Sequence, residues 1–179
     1  MAPKNSFSQP VDINGRLIPS LKTWKAANPK SIYFDSKFEW NVYKLLRDAN
    51  FNFSFHPQTR EVMPGFTSWA MSKGKTRRIF KSTVRPITYT SDFAIYCNNG
   101  KTIFVEAKGF FHKDARMRYK LFQAALSKDE LSIIVFDKKV AGGDNLGDVR
   151  ALIRIIEDDF GGSTAMKTPK KPTKKIIKI

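Results

Sequence analysis

Two neighbouring strand-like segments, each with an acid, constrain the fold of this chain most. The first, residues 87–96, contains Asp92, and the second, residues 101–108, contains Glu106. Between them lies Asn98-Asn99-Gly100, a sequence typical of a tight hairpin turn. We therefore expect an antiparallel strand pair that brings the two carboxylates close together.

Lys108 adds a positive charge beside the two carboxylates. Side chains on a strand alternate between faces, so Glu106 and Lys108 share one face and Ala107 lies on the other. Two carboxylates side by side in a half-buried sheet repel each other unless a cation lies between them. Mg²⁺, which prefers oxygen ligands, would remove that conflict, and Mn²⁺ could substitute. A lysine beside such an ion is suited to phosphodiester hydrolysis.

The spacing by itself is a weak signal, because an acid two residues before a lysine occurs at Asp35, Glu106 and Asp137. Of these, Glu106 alone stands at the end of a strand-like segment that follows another acid-bearing strand. The context of Glu106 separates it from the other two.

Charge is the second strong indication. The chain has 32 Lys and Arg against 16 acids, no acid between Glu61 and Asp92, and six lysines without an acid from Ser163 onward. A field of one sign attracts polyanions, of which nucleic acid is the usual one, although a solubility tail or an anionic membrane surface is an alternative. We expect phosphate contacts from the basic segment and the basic helix after it: Lys73, Lys75, Arg77, Arg78, Lys81, Arg85, Lys113, Arg116, Arg118 and Lys120.

Several classes of protein are disfavoured. A single cysteine, Cys97, excludes an internal disulfide and a Cys-based zinc site, and the two histidines, His56 and His112, lie far apart. No apolar stretch approaches the ~20 residues that span a bilayer, and the N-terminus lacks a signal-peptide pattern. We expect a soluble cytoplasmic protein that does not bind membranes.

Composition divides the chain into three parts. Residues 1–30 are predicted to form an arm with a short helix around 21–27, residues 31–160 a single domain, and residues 161–179 a basic disordered tail.

Within the domain the pattern predicts the order helix, strand, strand, strand, helix, strand, helix. Ser36 and Glu39 fit a capping box, so the first helix should begin near Ser36 and end near residue 48. Residues 66–84 should form a long loop or a protruding ribbon. In the basic helix around 112–127 we expect Met117, Leu121, Phe122 and Leu126 to face the core. Residues 131–136 read as a buried central strand.

This order predicts an α/β fold. The first three strands would form an antiparallel meander, and the strand after the helical crossover would add one parallel strand. The result is a mixed central sheet flanked by helices.

With a helical Glu39, then Asp92, then Glu106-Ala107-Lys108, the chain resembles the restriction-endonuclease-like PD-(D/E)XK nucleases over residues 31–137. Within that superfamily it looks most like the phage endonuclease I-type Holliday-junction resolvases. One departure is Ser91, where the motif usually has proline.

The resemblance implies a restriction-endonuclease-like core and a catalytic set of Glu39, Asp92, Glu106 and Lys108. Asp92, Glu106 and the Ala107 carbonyl would ligate the metal, and Lys108 would position the attacking water. Glu39 would complete the site or bind a second ion. Resolution of a four-way junction needs two symmetric cuts, so a homodimer acting on branched DNA is implied.

Other interpretations of these residues remain open. Glu39 could serve only to cap its helix, Asp92 could pair with an arginine such as Arg85, and Lys108 could simply end a strand at the surface. His56, beside Pro57, is typical of a loop or an edge. At the level of function, a transposase-associated or replication-linked nickase and a non-catalytic DNA-binding protein are the alternatives.

Overall fold

The computed structural model describes residues 9–73, 78–109, 112–138 and 144–163. Its central sheet has the order β10-β9-β8-β3 and consists of β3 (Phe53–Phe55), β8 (Phe93–Tyr96), β9 (Thr102–Lys108) and β10 (Glu130–Phe136). Strand β8 is antiparallel to both β3 and β9, whereas β10 is parallel to β9. The predicted mixed α/β sheet, with a meander and one parallel strand, is confirmed.

The two long predicted strands are each interrupted. The first of the three strands predicted after the first helix becomes β3 and β4 (Arg60–Met63), and the segment predicted over residues 87–96 becomes β7 (Ile87–Tyr89) and β8. Strands β4 and β7 pair antiparallel to each other, so the chain continues the β3–β8 pairing after a break. His56 lies at that break with a positive φ of 46°, which turns the chain out of the strand conformation.

Residues 66–71 and 79–84 form a two-stranded ribbon, the second of the two conformations predicted for this segment. Its strands are β5 (Phe66–Met71) and β6 (Ile79–Val84), and they pack mainly on each other. Gly65 lies at its base, where an added Cβ would come 2.9 Å from the Val84 carbonyl oxygen and 3.0 Å from the Pro86 ring.

Helices cover both faces of the central sheet. Helices α2 (Lys37–Asp48) and α4 (Gly147–Asp159) pack on the face that carries Val105 and Ala107. Helix α3 (Lys113–Ala124) packs on the opposite face, against Phe104. Because residues alternate along β9, Glu106 and Lys108 lie on the α3 face.

The N-terminal part of the described chain packs on α2. Strand β1 (Val11–Asp12) pairs with β2 (Tyr33–Phe34), and a short helix, α1 (Leu21–Ala27), follows β1 as predicted. Gly15 has a positive φ of 76°, and an added Cβ there would lie 2.6 Å from the Trp40 ring. The indole of Trp40 also donates to the Ile13 carbonyl.

Two predictions about packing are wrong. Strand β10 lies at the edge of the described sheet and is not central, so of its residues only Val135 is buried. Met117 is exposed, because the buried stripe of α3 runs through Tyr119 and Phe122 and a residue two positions before Tyr119 points away from it.

The predicted disordered tail lies outside the described residues from position 164 onward. Ser163, the third residue of the predicted tail, is buried, and its hydroxyl donates to the Tyr96 carbonyl. Among the described residues, no helix is long and apolar enough to cross a membrane.

Candidate active site

Glu106, Lys108 and Asp92 come together where β8 begins and β9 ends. The Lys108 ammonium lies 2.7 Å from Glu106 Oε1 and 3.8 Å from Asp92 Oδ2. Glu106 is 4% exposed, and the side chain of Asp92 is 14% exposed. The structure therefore brings both predicted carboxylates within reach of one ammonium group.

Backbone contacts fix the position of Asp92 at the break before β8. The Ala107 N–H donates to Asp92 Oδ2 at 2.8 Å, and the His56 N–H donates to the Asp92 carbonyl at 2.8 Å. Ser91, at the position usually taken by proline, is buried and its hydroxyl donates to the Phe93 carbonyl. The carboxylate of Asp92 is thus tied to the strand that carries Glu106.

The carboxylates of the site outnumber its one lysine, and this excess of negative charge shifts the pKa values. Burial, followed by the charge of Glu106, raises the pKa of Asp92 well above its usual range, although Lys108 and the Ala107 N–H act against this shift. Burial opposes the charged form of Lys108, but the carboxylates of Asp92 and Glu106 outweigh it and raise the Lys108 pKa. One lysine is insufficient to neutralise the acids around it.

One oxygen of Glu106 makes no hydrogen bond within the part of the chain that the structure describes. Its Oε1 contacts Lys108, but its Oε2 is buried without a hydrogen bond among the described residues, as is the Tyr89 hydroxyl. Burial, the nearby Glu106 charge and the close approach of the Glu106 side chain raise the pKa of Tyr89, although the two groups do not meet in hydrogen-bond geometry. A buried carboxylate oxygen without a partner is expensive, and such atoms in native proteins call for an explanation such as an ion.

Glu39 reaches the same site from the start of α2. The Ser36 hydroxyl caps the helix by accepting from the Glu39 N–H, while Glu39 Oε2 accepts from the Asp35 N–H at 2.7 Å. Glu39 is 3% exposed, and its other oxygen, Oε1, faces His56. Capping and proximity to the carboxylates therefore coexist in this residue.

His56 is the residue that sequence reasoning missed. Its Nε2 lies 3.2 Å from Glu39 Oε1, and its ring stacks on Phe55. The hydrogen bond to Glu39 raises the His56 pKa against the lowering effect of burial, and the charges of Glu39 and Asp92 also raise it. A histidine beside a proline gave no signal of this contact, which depends on the turn at the β3–β4 break.

Three side chains near Asp92 form a group that could hold a metal ion. Glu39, His56 and Asp92 each place one ligand atom within 4.8 Å of the others, and Glu106 is not part of this group. Carboxylate oxygens suit Mg²⁺ and Mn²⁺. Ala107 supplies its N–H to Asp92 and packs its side chain in the core, and ligation through its carbonyl remains a prediction.

The predicted phosphate-binding residues are exposed wherever the structure describes them. Lys73 lies two residues after β5 and Arg78 just before β6, Lys81 lies on β6, and Arg85 follows it. On α3 the exposed residues are Lys113, Arg116, Arg118 and Lys120. Lys75 and Arg77 lie outside the described residues.

A different charged pair lies at the other end of β9. Both oxygens of Glu130, which pairs in register with Thr102, accept from the Arg60 guanidinium, and the Ser127 N–H donates to Glu130 as well. Arg60 also lies over the Phe104 ring. The hydrogen bond from Arg60 lowers the pKa of Glu130 to about 2.

Comparison with known proteins places the chain in a family. The model of a family described as a protein of unknown function, DUF1064, matches residues 23–142. No curated protein and no solved structure is significantly similar to the chain. Because the matched segment covers more than half of the 179 residues, the chain belongs to the DUF1064 family.

Proposed function

We propose that this protein is a Mg²⁺-dependent, structure-selective DNA endonuclease of the PD-(D/E)XK type, with a restriction-endonuclease-like core. The observation that carries the proposal is the meeting of Asp92 and Glu106 at Lys108, on the end of a mixed sheet. A protein without a use for a cation gains nothing from such a cluster, because burying like charges together is unfavourable.

Asp92, Glu106 and the Ala107 carbonyl would hold the cation, and Glu39 would complete its surroundings or bind a second ion. When bound, a divalent cation supplies Lewis-acid stabilisation of the charge that develops on the phosphate oxygens. The Ala107 N–H keeps the Asp92 carboxylate in place, so little reorganisation is needed when the substrate arrives.

Lys108 would orient the attacking water and stabilise negative charge. Its raised pKa keeps it protonated at neutral pH, so it acts here as a hydrogen-bond donor and a positive charge. Its side chain is 29% exposed, more than those of the two carboxylates, which leaves its ammonium accessible to a substrate. In-line attack on phosphorus would leave 5′-phosphate and 3′-hydroxyl ends.

The basic ribbon and α3 would bind phosphates on either side of the cleaved bond. Such contacts position an enzyme on DNA without reading its sequence. Lys113, Arg116 and Lys120 have i, i+3 and i+7 spacing and so lie on one side of α3. Of the possible substrates we favour a four-way junction, cut by a homodimer; a replication-linked or transposase-associated nickase of the same fold would differ only in substrate.

A non-catalytic DNA-binding protein is the alternative from another class. The net charge of +16 would serve it equally well. The buried carboxylates argue against it, because near DNA phosphates they add repulsion without benefit.

The test is cleavage of a panel of labelled four-way junction, Y-fork, flap and linear duplex DNA in Mg²⁺ or Mn²⁺. Wild type should cut branched forms, and Asp92→Asn and Lys108→Ala should not. Arg47→Ala, which removes an exposed ion pair in the last turn of α2, serves as the matched control. If wild type binds DNA but cuts no form with either ion, the endonuclease proposal is wrong and the binding protein replaces it. Gel filtration tests the dimer.

A further inference from the structure

One face of the β5–β6 ribbon is formed by side chains that all remain exposed. Cross-strand partners in an antiparallel pair share a face. The register pairs Thr67 with Thr83, Trp69 with Lys81, and Met71 with Ile79, so these six residues form one face. We call this surface the Trp69 face.

The Trp69 face is unusually apolar for a solvent-exposed surface. Trp69 is 67% exposed, Met71 57% and Ile79 68%. Single exposed apolar residues are ordinary, but three that are adjacent on a protruding ribbon indicate a binding surface. A two-stranded hairpin that packs mainly on itself is only marginally stable. A tryptophan exposed to water does not stabilise it, so the folding of the ribbon does not explain why Trp69 is there.

The charge around the Trp69 face indicates what binds there. Lys81 belongs to the face, and its ammonium lies 5.6 Å from the centre of the Trp69 ring. Lys73, Arg78 and Arg85 are also exposed, and none of the ion pairs among the described residues involves these four cations. Because no acid occurs between Glu61 and Asp92, the partner should combine negative charge with flat apolar surfaces.

We propose that the Trp69 face stacks against unpaired bases at a DNA branch point, with Lys81 on the adjacent phosphate. This inference rests on the proposed function and names the feature of the substrate that would be selected. Aromatic side chains stack on bases of any sequence, and apolar side chains inserted at a base step can hold it open. In a continuous duplex the bases are stacked on each other, so the face would favour branched DNA.

Two other occupants fit the face less well. The face is roughly 17 Å long and ~10 Å wide, on the order of 200 Å², by the rise and spacing of strands. A stable interface with a second copy buries about 800 Å² on each partner. A membrane would require Lys81, in the middle of the face, to enter the apolar layer, which is unfavourable.

The experiment uses the full-length chain with Asp92→Asn in EDTA, so that binding is measured without cleavage. Four-way junction DNA carries 2-aminopurine at the branch, and a linear duplex carries it at the centre. Trp69→Ala and Trp69→Phe are compared with Phe80→Ala, which removes an exposed ring from the opposite face of the same ribbon. Thermal unfolding verifies that each variant is folded.

The inference predicts that Trp69→Ala weakens junction binding at least about fivefold and abolishes the 2-aminopurine response. Trp69→Phe should restore much of the junction affinity and of the 2-aminopurine response. The duplex affinity of every variant, and the junction affinity of Phe80→Ala, should stay within about twofold of the unsubstituted parent. An unchanged junction affinity and signal in Trp69→Ala would overturn the inference. So would a Trp69-dependent self-association in sedimentation, or Trp69-dependent binding to phosphatidylglycerol vesicles, without an effect on the junction.

Failure of this inference and failure of the proposed function give different results. A Trp69-dependent branch signal, with no cleavage by wild type in Mg²⁺ or Mn²⁺, would support the stacking face and reject the endonuclease. Junction cleavage by wild type, with a Trp69→Ala variant that binds and cuts equally well, would reject the stacking face and leave the endonuclease in place.

Discussion

The two ends of strand β9 carry charged clusters of opposite character. At one end, Arg60 and Glu130 form a bidentate pair in which the hydrogen bond lowers the carboxyl pKa. At the other end, burial and the Glu106 charge raise the pKa of Asp92, and one lysine serves two carboxylates. The Arg60–Glu130 pair stabilises the fold. In the other cluster the carboxylates of Asp92 and Glu106 repel each other, which costs stability.

This difference is the one expected between charges that only stabilise a fold and charges that serve a site. A balanced pair satisfies its own atoms, and nothing further needs to bind there. In the Asp92 cluster, a buried Glu106 oxygen makes no hydrogen bond to any described residue, and negative charge is concentrated around it. Strongly perturbed carboxyl groups occur preferentially at sites of chemistry, although ion-pair networks perturb pKa values too.

The largest expected effect is on catalysis. Lys108→Ala should lower single-turnover cleavage of junction DNA roughly a hundredfold to a thousandfold, because a positioned donor to the reacting phosphate is lost. Glu130→Gln, at the other end of β9, should leave the rate within about twofold. A rate that falls equally in both variants would show that the two clusters do not differ in role.

The next effect is on stability at the balanced end. Arg60→Ala leaves the Glu130 carboxylate without its guanidinium, and the free energy of unfolding should fall by about 1 kcal/mol, a value reduced because Arg60 is partly exposed. Denaturant unfolding measures this change. Arg47→Ala, whose pair with Asp48 is exposed, is the control and should change stability much less.

In the Asp92 cluster, removal of a charge should stabilise the protein, whereas Arg60→Ala destabilises it. Asp92 has a raised pKa in the folded protein, so the folded state binds more protons above the ordinary aspartate range, and stability falls as pH rises through that window. Asn cannot ionise, and its side-chain oxygen can still accept from the Ala107 N–H. Without a divalent cation, Asp92→Asn should therefore raise the Tm at neutral pH, and a lower Tm would contradict the account.

The smallest expected effect is the loss of the stabilisation by Glu130 at low pH. Glu130 has a pKa lowered to about 2 from an ordinary 4.5, so its stabilisation is present above that ordinary value and is lost as pH falls towards 2. The Tm difference between wild type and Glu130→Gln should be constant above pH ~5 and should shrink at lower pH. A difference that grows on acidification would show that Glu130 does not stabilise as an anion.

Patterns of neighbouring residues predicted much of the fold and part of the site. Alternation and the Asn98-Asn99-Gly100 turn fix how β8 and β9 pair, and this pairing brings Asp92 to Glu106. The contact of His56 with Glu39 depends on a positive-φ residue at a strand break and on the approach of a helix. Likewise, the edge position of β10 depends on whether another strand pairs beyond it, which its own apolar sequence does not reveal.

The most direct test of the central claim is a Mn²⁺ titration of the protein without DNA, followed by electron paramagnetic resonance, on wild type, Asp92→Asn and Glu130→Gln. The account predicts a bound ion in wild type and in Glu130→Gln, and an affinity at least about tenfold weaker in Asp92→Asn. Equal Mn²⁺ binding by all three proteins, or none by wild type, would contradict it.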